Sequence, residues 1–587
     1  MYLPRNRSVE VAALAILFCL ACLIPKQGVA QDVQPKKADR VSGVVVNSVN
    51  HEPVARALVV SNDERFAVWT DVNGRFEFVF PETATGNDAA AGPGRSGMNL
   101  VGYRPYAFTA RKPGFLGRQN DQGVILSNVP DGKEIEIALV PEALIVGHIA
   151  LPTSEPPDPI EIELYQRQVQ KGRAHWVSVG VQATRSDGEF RFAELAAGTY
   201  KLLTHELLDE DPKTAAPGGQ VYAYAPVYYP NANGFASAGT IQLTPGKIVH
   251  ANLSLVRQPY FPVIVPVANV PPGVGLNVKV SAQGRVGPGY ELGYDPQKQM
   301  IVGSLPNGNF RLEATAFGGK VLSGVTNITV RGGAEGMVLP LAASPPIMVN
   351  VKEQFTAEVT PGTTTTRGAG GRATSQQRKY DITVIFEPAD DFGAQQQSAS
   401  RGRSETQPDS VQMDNVAPGR YWVQVYPTHG YVASVTASGV DLRRQPLIVP
   451  AGSSVPSIEV TLRDESATIE GTVEGVSGLT GSAAPLSQGP YGWAGPPSSA
   501  SSARVYFIPL PDSTGRFTEN FVNQDGKFGA VSLPPGEYRV LAFSNVQPDL
   551  EYENPEAMRA YDGKAQAVRL AAGQKERVQL QLVSTSE

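Results

Sequence analysis

Cysteine is almost absent from this chain of 587 residues, which contains two cysteines and six histidines. Both cysteines, Cys19 and Cys22, lie inside an apolar run near the start of the chain. If that run is removed, the remaining chain has no disulfide, no thiolate ligand and no cysteine nucleophile. The histidines are scattered, and none has a glutamate three positions later. The sequence therefore predicts no metal site and a fold held together by ordinary hydrophobic cores.

Other motifs that carry chemistry are missing as well. There is no Gly-x-Ser-x-Gly elbow and no Gly-x-x-x-x-Gly-Lys-(Ser/Thr) phosphate loop. Lysine and arginine form no basic stripe, and the formal net charge is −6, so nucleic acid is not an expected partner. The acidic segment from His205 to Asp211 could attract a cation, although charged turns are usually only solvated. We expect no catalytic residues, no metal and no cofactor.

Long hydrophobic runs are limited to one, at the start of the chain. Arg5 and Arg7 precede an unbroken apolar run at 11–24, and Gly28-Val29-Ala30 supplies the small residues of a signal-peptidase site. The run is too short to span a bilayer comfortably, so residues 1–30 are predicted to be a cleaved signal peptide. The mature chain is then exported without an integral membrane segment, to the periplasm, the outer-membrane surface or the extracellular space.

Lipidation at Cys22 is a minor alternative to cleavage after Ala30. A lipoprotein signal usually has leucine three positions before the cysteine, whereas this chain has Cys19 there.

Glycine and proline are abundant, with 59 and 48 residues, and they punctuate a repeated pattern. One element is an Asn-Gly or Asp-Gly turn followed by alternating aromatics, as in Asn73-Gly74-Arg75-Phe76-Glu77-Phe78. It recurs around Phe190 and Phe528. A second turn, Pro-x-Gly-x-Tyr or a variant, leads into another strand that contains Tyr200, Tyr421 or Tyr538. The period-two alternation predicts that these rings face a sandwich core.

A closing element of alternating strands ends each repeat and sets the predicted boundaries. A single hairpin cannot bury its apolar face, so each repeat must belong to a sandwich. The pattern predicts an all-β chain of tandem antiparallel β-sandwich modules, each of about 100 residues. The predicted units are module one (39–142), module two (143–257), module three (258–344, degenerate), module four (345–463, with a polar insertion) and module five (464–587).

Module one resembles the carboxypeptidase regulatory-like domain, a small β-sandwich with transthyretin-like topology. The resemblance rests on Ser42-Gly43-Val44-Val45, on Pro53–Val60 and on Thr70–Phe76. Modules two and five keep the Asp-Gly-x-Phe and Gly-x-Tyr parts, while modules three and four keep little more than the turn. Related folds are grouped with starch-binding-like domains, so the resemblance implies a carbohydrate-binding surface. The His-x-x-Glu pair of the zinc carboxypeptidases is absent, and the family name implies no activity here.

Aromatic residues outside the core pattern are the candidates for carbohydrate binding. A sugar needs a flat, accessible ring with polar neighbours. Tyr491 and Trp493 lie in a Gly/Pro/Ser-rich stretch and are the first candidates, and Tyr228 and Tyr229 are the second. The alternative for all four is ordinary packing against their own modules.

Three classes of function remain open from the sequence alone. The favoured class is an exported, non-enzymatic binding or scaffolding protein of a bacterial cell envelope, with a polysaccharide or an envelope protein as partner. The second is an envelope hydrolase with carboxylates such as Asp390, Asp391 and Asp414 on inserted loops. The third is a purely structural spacer.

Overall fold

The computed structural model places strands in all five modules. It describes residues 39–80, 105, 107–116, 124–125, 134–152, 159–209, 220–283, 285–334, 337–356, 366–367, 373–374, 381–392, 395–401, 410–476, 500–511, 513 and 515–583. Within these ranges the chain is almost entirely β, with one short α-helix and one 3₁₀ turn. The predicted all-β class is confirmed, while the predicted signal peptide at 1–30 lies outside the described residues.

Module one folds into two facing sheets, ordered β4-β1-β7 and β3-β2-β5-β6. Its strands are β1 (Asp39–Asn47), β2 (Leu58–Ser61), β3 (Ala67–Trp69), β4 (Arg75–Phe80), β5 (Ala107–Arg111), β6 (Val124–Ile125) and β7 (Ile135–Leu139). Burial alternates perfectly along β4, because Phe76, Phe78 and Phe80 point inward and their neighbours point to solvent. The first and last strands of the module pair in parallel, since β7 returns beside β1.

Module two has the sheets β10-β9-β12-β15 and β11-β8-β16, with β17 also paired to β8. The strands of its range are β8 (Ala143–Ala150), β9 (Glu161–Gln170), β10 (Arg173–Ala183), β11 (Glu189–Leu195), β12 (Gly198–Thr204), β13 (Leu207–Asp209), β14 (Val221–Tyr224), β15 (Ile241–Leu243), β16 (Ile248–His250) and β17 (Leu253–Ser254). The β9–β10 hairpin is long, with ten residues in β9 and eleven in β10.

Module three has the sheets β13-β14-β18-β22-β21 and β20-β19-β23-β24-β26, with β25 also paired to β18. Its own strands are β18 (Arg257–Ala268), β19 (Leu276–Ala282), β20 (Arg285–Tyr290), β21 (Gly293–Asp295), β22 (Met300–Leu305), β23 (Gly308–Gly318), β24 (Lys320–Val330), β25 (Leu339–Pro340) and β26 (Ala342–Ala343). Two strands from the predicted range of module two, β13 and β14, therefore extend a sheet of module three.

Module four has the sheets β32-β27-β37-β34-β35 and β31-β30-β33-β36, and a separate pair β28-β29. Its strands are β27 (Ile347–Gln354), β28 (Thr366–Arg367), β29 (Ala373–Thr374), β30 (Ile382–Pro388), β31 (Gln397–Arg401), β32 (Ser410–Met413), β33 (Gly419–Pro427), β34 (Tyr431–Ala437), β35 (Val440–Asp441), β36 (Leu447–Val449) and β37 (Ile458–Arg463).

Module five has one continuous sheet with the strand order β40-β39-β42-β44-β38-β41, and β43 also pairs with β42. The pairing of β42 with β44 connects the two halves of this sheet. Its elements are β38 (Ala467–Glu474), β39 (Ala500–Pro509), β40 (Thr518–Asn523), β41 (Lys527–Leu533), β42 (Gly536–Phe543), α1 (Pro555–Met558), a 3₁₀ turn (Arg559–Tyr561), β43 (Gln566–Leu570) and β44 (Lys575–Val583). Asn554 caps α1 by accepting hydrogen bonds from the amides of Glu556 and Ala557.

Each predicted range contains a large hydrophobic core cluster of its own. A glycine and a phenylalanine form the same cross-strand pair in three of these cores. In module one, Gly43 lies opposite Phe76, and a Cβ at Gly43 would fall 2.6 Å from the phenylalanine ring and 2.3 Å from the Ile135 carbonyl oxygen. The corresponding pairs are Gly147 with Phe190 and Gly471 with Phe528. Only glycine leaves room for a ring to fold across the opposite strand.

A tyrosine corner is the second repeated feature. The hydroxyl of Tyr538 donates to the carbonyl oxygen of Pro534, four residues earlier, at 2.6 Å. Tyr200 and Tyr421 make the same bond to the residue four positions before them, at 2.8 and 2.7 Å. All three tyrosines are buried, as are Phe76, Phe190 and Phe528. The prediction that these six rings face the core is confirmed.

Candidate functional site

Of the two predicted sugar-binding tyrosines of module two, one lies at the seam with module three and the other packs on the core of module two. Tyr228 is only 4% exposed, and its hydroxyl donates to the Pro288 carbonyl oxygen at 2.7 Å. Burial raises the pKa of this phenol above its usual value. Tyr229 is half-buried against the core of module two. The expectation that Tyr228 is an open stacking surface is wrong, because its ring fills the space between two modules.

The first-choice aromatics, Tyr491 and Trp493, lie outside the described residues. Their role in carbohydrate binding stays a prediction.

Tyr228 nevertheless borders a cleft of about 250 Å³ between modules two and three. Tyr290, Asn233 and Gln258 supply a phenol and two amides, and Val256 forms an exposed apolar edge. Among the described residues that line this cleft, none carries a charge. The combination of tyrosine rings with neutral amides suits a neutral, hydroxyl-rich ligand better than an ion.

The tip of the β9–β10 hairpin is inserted against modules four and five. Lys171 and Gly172 both have positive φ, 48° and 78°, as a two-residue type I′ turn requires. Gly172 faces the ring of Tyr552, and a Cβ there would fall 2.5 Å from that ring. The Gly172 carbonyl oxygen accepts a hydrogen bond of 3.1 Å from the amide of Glu553. The tip therefore lies directly on the segment that precedes α1.

Charged side chains surround this tip on both sides. Arg173 places its guanidinium 3.9 Å from the ring centroid of Trp422 in module four and 3.1 Å from a carboxylate oxygen of Glu553 in module five. Lys171 pairs with Glu387 of module four at 3.0 Å. Arg167, further along β9, pairs with Glu551 at 2.6 Å and lowers the pKa of that carboxyl. One hairpin thus contacts two other modules at once.

A buried lysine of module two lies over the ring of Phe235, which contacts module four. The Lys201 ammonium donates to the Phe235 carbonyl oxygen at 2.7 Å and lies 4.9 Å from the centroid of Trp176. Burial lowers its pKa. Phe392 of module four packs edge-on against Phe235, with centroids 4.8 Å apart. An ammonium held between aromatic faces is a cation–π contact, which gains strength when it is desolvated.

The carboxylates considered for hydrolysis are engaged in other contacts. Asp390 is bonded to the guanidinium of Arg420. Asp391 lies 3.3 Å from Nδ1 of His175, and Asp414 accepts a hydrogen bond from Gln412 at 2.6 Å. Each of the three carboxylates therefore has a polar partner, and Asp390 and Asp391 also line a cleft of about 200 Å³.

In the ranges that the structure describes, no group of three or more histidine, cysteine, aspartate or glutamate side chains could hold a metal ion. Glu210 and Asp211 of the acidic segment lie outside those ranges. His205 and Glu206, expected in a solvated acidic loop, instead turn into the seam between modules two and three. In the same ranges, no helix is long and apolar enough to cross a membrane.

Sequence reasoning missed the hairpin tip and its receptor. The sequence Lys171-Gly172 predicts an ordinary turn. The alternation of apolar residues in β9 and β10 does not predict which residues the tip contacts. One signal was present: the segment 545–565 of module five falls outside the repeat pattern and contains Glu551 and Glu553. An insertion rich in charge and aromatics within a repeat is typical of a contact surface.

The chain has remote similarity to several solved structures. No protein-family model and no curated protein matches the chain. Among solved structures, the Bacillus anthracis TIE protein is 10% identical with a TM-score of 0.14, covering 75% of this chain and 74% of that one. A streptococcal ancillary pilin is 10% identical with a TM-score of 0.20, covering 55% and 99%. Two B repeat units of the collagen-binding protein of Staphylococcus aureus are 13% identical with a TM-score of 0.11, covering 73% and 100%. Similarity at this level carries no argument about function.

Proposed function

We propose that this chain is an exported, non-enzymatic scaffolding and binding protein of a bacterial cell envelope, in which modules two, four and five act as one rigid unit. The observation that carries the proposal is the β9–β10 hairpin tip, which seats Gly172 on Tyr552 and Arg173 between Trp422 and Glu553. Tandem domains joined only by linkers move independently by default. A contact among three modules restricts their relative motion, and a scaffold needs such a fixed arrangement.

Export is supported by the basic, apolar and small-residue pattern of residues 1–30. A relationship of the modules to the carboxypeptidase regulatory-like domain is part of the same proposal, and it is supported by the glycine–phenylalanine pair that modules one, two and five share. The expected partner is an envelope protein or a polysaccharide.

Enzymatic activity is the alternative that the first experiment tests. The purified chain is incubated with panels of polysaccharide, peptide and ester substrates, and product is measured over time. We expect no turnover above a heat-denatured control. Steady turnover that Asp391→Asn or Asp414→Asn abolishes, with the fold intact by circular dichroism, would show a hydrolase instead.

Carbohydrate binding is the second candidate, favoured by the uncharged cleft that Tyr228, Tyr290, Asn233 and Gln258 line. Neutral and uronic-acid polysaccharides are compared by affinity electrophoresis with Asn233→Ala, Gln258→Ala and Trp493→Ala. Weaker binding in the first two variants assigns the ligand to the cleft, and weaker binding in Trp493→Ala assigns it to that tryptophan. Unchanged retardation in all three rejects carbohydrate binding at both places and leaves the protein-scaffold proposal standing.

A further inference from the structure

A histidine side chain lies in the seam between modules two and three. His205 follows β12, and its Nε2 lies 3.0 Å from a carboxylate oxygen of Glu163 on β9. Its Nδ1 lies 3.5 Å from a carboxylate oxygen of Glu291, which follows β20 in module three. Ser178 on β10 donates to the other oxygen of Glu163 at 2.6 Å. The imidazole therefore bridges carboxylates that belong to two different modules.

Glu206 is the next residue and is also held at the seam. One of its oxygens accepts a hydrogen bond of 2.6 Å from the amide of Glu291, and its own amide donates to the Gly289 carbonyl oxygen at 2.9 Å. Its other oxygen is buried without a hydrogen-bond partner among the described residues. A negative charge on this carboxyl would be poorly solvated. The seam thus favours the neutral form of Glu206.

The charges around these two residues decide how the seam responds to protons. Burial, reinforced by the charge of Glu291, raises the pKa of Glu206 to about 8, although the hydrogen bond from the Glu291 amide and the charge of His205 oppose the shift. The hydrogen bond to Glu163 raises the pKa of His205, helped by the charges of Glu291 and Glu161 and opposed by burial.

Other titratable groups near the seam are Glu163, Tyr260 and Tyr165, and they determine the pH range over which the seam responds to protons. Burial raises the pKa of Glu163, but hydrogen bonds from His205, Ser178 and Tyr165 outweigh it and leave the value lowered. Tyr260 on β18 faces Glu206, and burial raises its pKa beyond the physiological range. Tyr165 on β9 behaves in the same way. The tyrosines therefore stay neutral while the other groups titrate.

We propose that this seam is a proton-sensitive joint, closed while Glu206 is neutral and His205 is charged, and loosened as the pH rises. The stability that neutral Glu206 contributes is complete below its ordinary pKa of 4.5 and is lost as the pH rises through about 8. The contribution of His205 is complete below 6.5 and is lost above that value. Glu163 acts in the opposite sense, because its contribution falls away below 4.5. The joint is tightest near pH 4.5 and loosens progressively as the pH rises to about 8.

Hydrogen–deuterium exchange at the Glu291 amide reports on this joint directly, because that amide donates to Glu206. Protection, corrected for the intrinsic exchange rate, is measured between pH 6 and pH 9. In the wild-type chain we expect protection to fall about tenfold or more, since each unit of pKa difference changes the opening equilibrium about tenfold. Glu206→Gln keeps the accepting oxygen and cannot ionise, so it should retain most of its protection at pH 9.

Glu189→Gln, at an exposed position of β11 in the same module, is the matched control and should behave as the wild type. Glu291→Gln is a second variant that removes the neighbouring negative charge and should move the loosening to lower pH. Constant protection in the wild type, or an equal loss in Glu206→Gln, would overturn the proposal. So would a shift of the midpoint to higher pH in Glu291→Gln.

Discussion

The cores of the modules and the seams between them are built in different ways. Inside a module, the same contacts recur: a phenylalanine across a glycine, as in Gly471 with Phe528, and a tyrosine bonded four residues back. At the seams, each contact occurs once, as with Arg173 between Trp422 and Glu553. The core contacts follow the period-two alternation of the strands, whereas the seam contacts pair charged side chains with groups of another module.

Module three shows which part of the repeated core is dispensable. Its corner places Phe310 where modules two, four and five have Tyr200, Tyr421 and Tyr538, and Phe310 is equally buried. Module three therefore keeps a buried ring at this position without the hydroxyl and its hydrogen bond. A module can lose this hydrogen bond and still fold, because its core still buries enough apolar surface.

The largest effect is expected from removing a core ring. Phe528→Ala should cost module five about 3–5 kcal/mol, because the transfer energy and the cavity both count. The measurement is the unfolding transition of module five, followed by hydrogen exchange along β41 and β38. Val531→Ala is the control, since Val531 lies on the same strand but is 73% exposed. Equal losses in the two variants would show that Phe528 is not a core residue.

A smaller loss is expected from filling the space beneath a ring. Gly147→Ala would place a Cβ 2.5 Å from the Phe190 ring and 2.2 Å from the Ala251 carbonyl oxygen, at a cost of about 1–3 kcal/mol. Gly180→Ala in the same module meets Phe192 only at 3.8 Å and is the control. Thermal unfolding of module two should separate them. A Gly147→Ala protein that melts with the control contradicts the shared glycine–phenylalanine pairing.

The smallest effect concerns the corner hydroxyl. Tyr538→Phe should lower the stability of module five by about 1 kcal/mol, because the Pro534 carbonyl oxygen loses its partner while the ring stays in place. Tyr200→Phe and Tyr421→Phe should cost their own modules a similar amount. Chemical denaturation of each variant measures the loss. No change in any of the three would mean that the bond adds nothing to stability.

The sequence predicts the cores well because alternation and turn residues are local signals. The inward positions of Phe76 and Tyr200 follow from period two alone. Contacts between modules have no such signal, because Lys171-Gly172 and Glu553 are almost four hundred positions apart. For the same reason the sequence does not predict the burial of Tyr228, because whether a ring outside the core is open depends on the neighbouring module. The capture of β13 and β14 by module three is likewise a tertiary choice.

Small-angle X-ray scattering tests the central claim most directly, because it separates a rigid arrangement from a chain of independent modules. The wild-type protein is compared with a variant carrying Arg167→Ala, Lys171→Ala and Arg173→Ala, and with Arg185→Ala, an exposed arginine of module two, as control. We predict that one fixed arrangement of modules two, four and five fits the wild-type and control curves, and that the triple variant is larger and requires an ensemble. A wild-type curve that already requires freely moving modules, or a triple variant that scatters as the wild type does, would contradict the account.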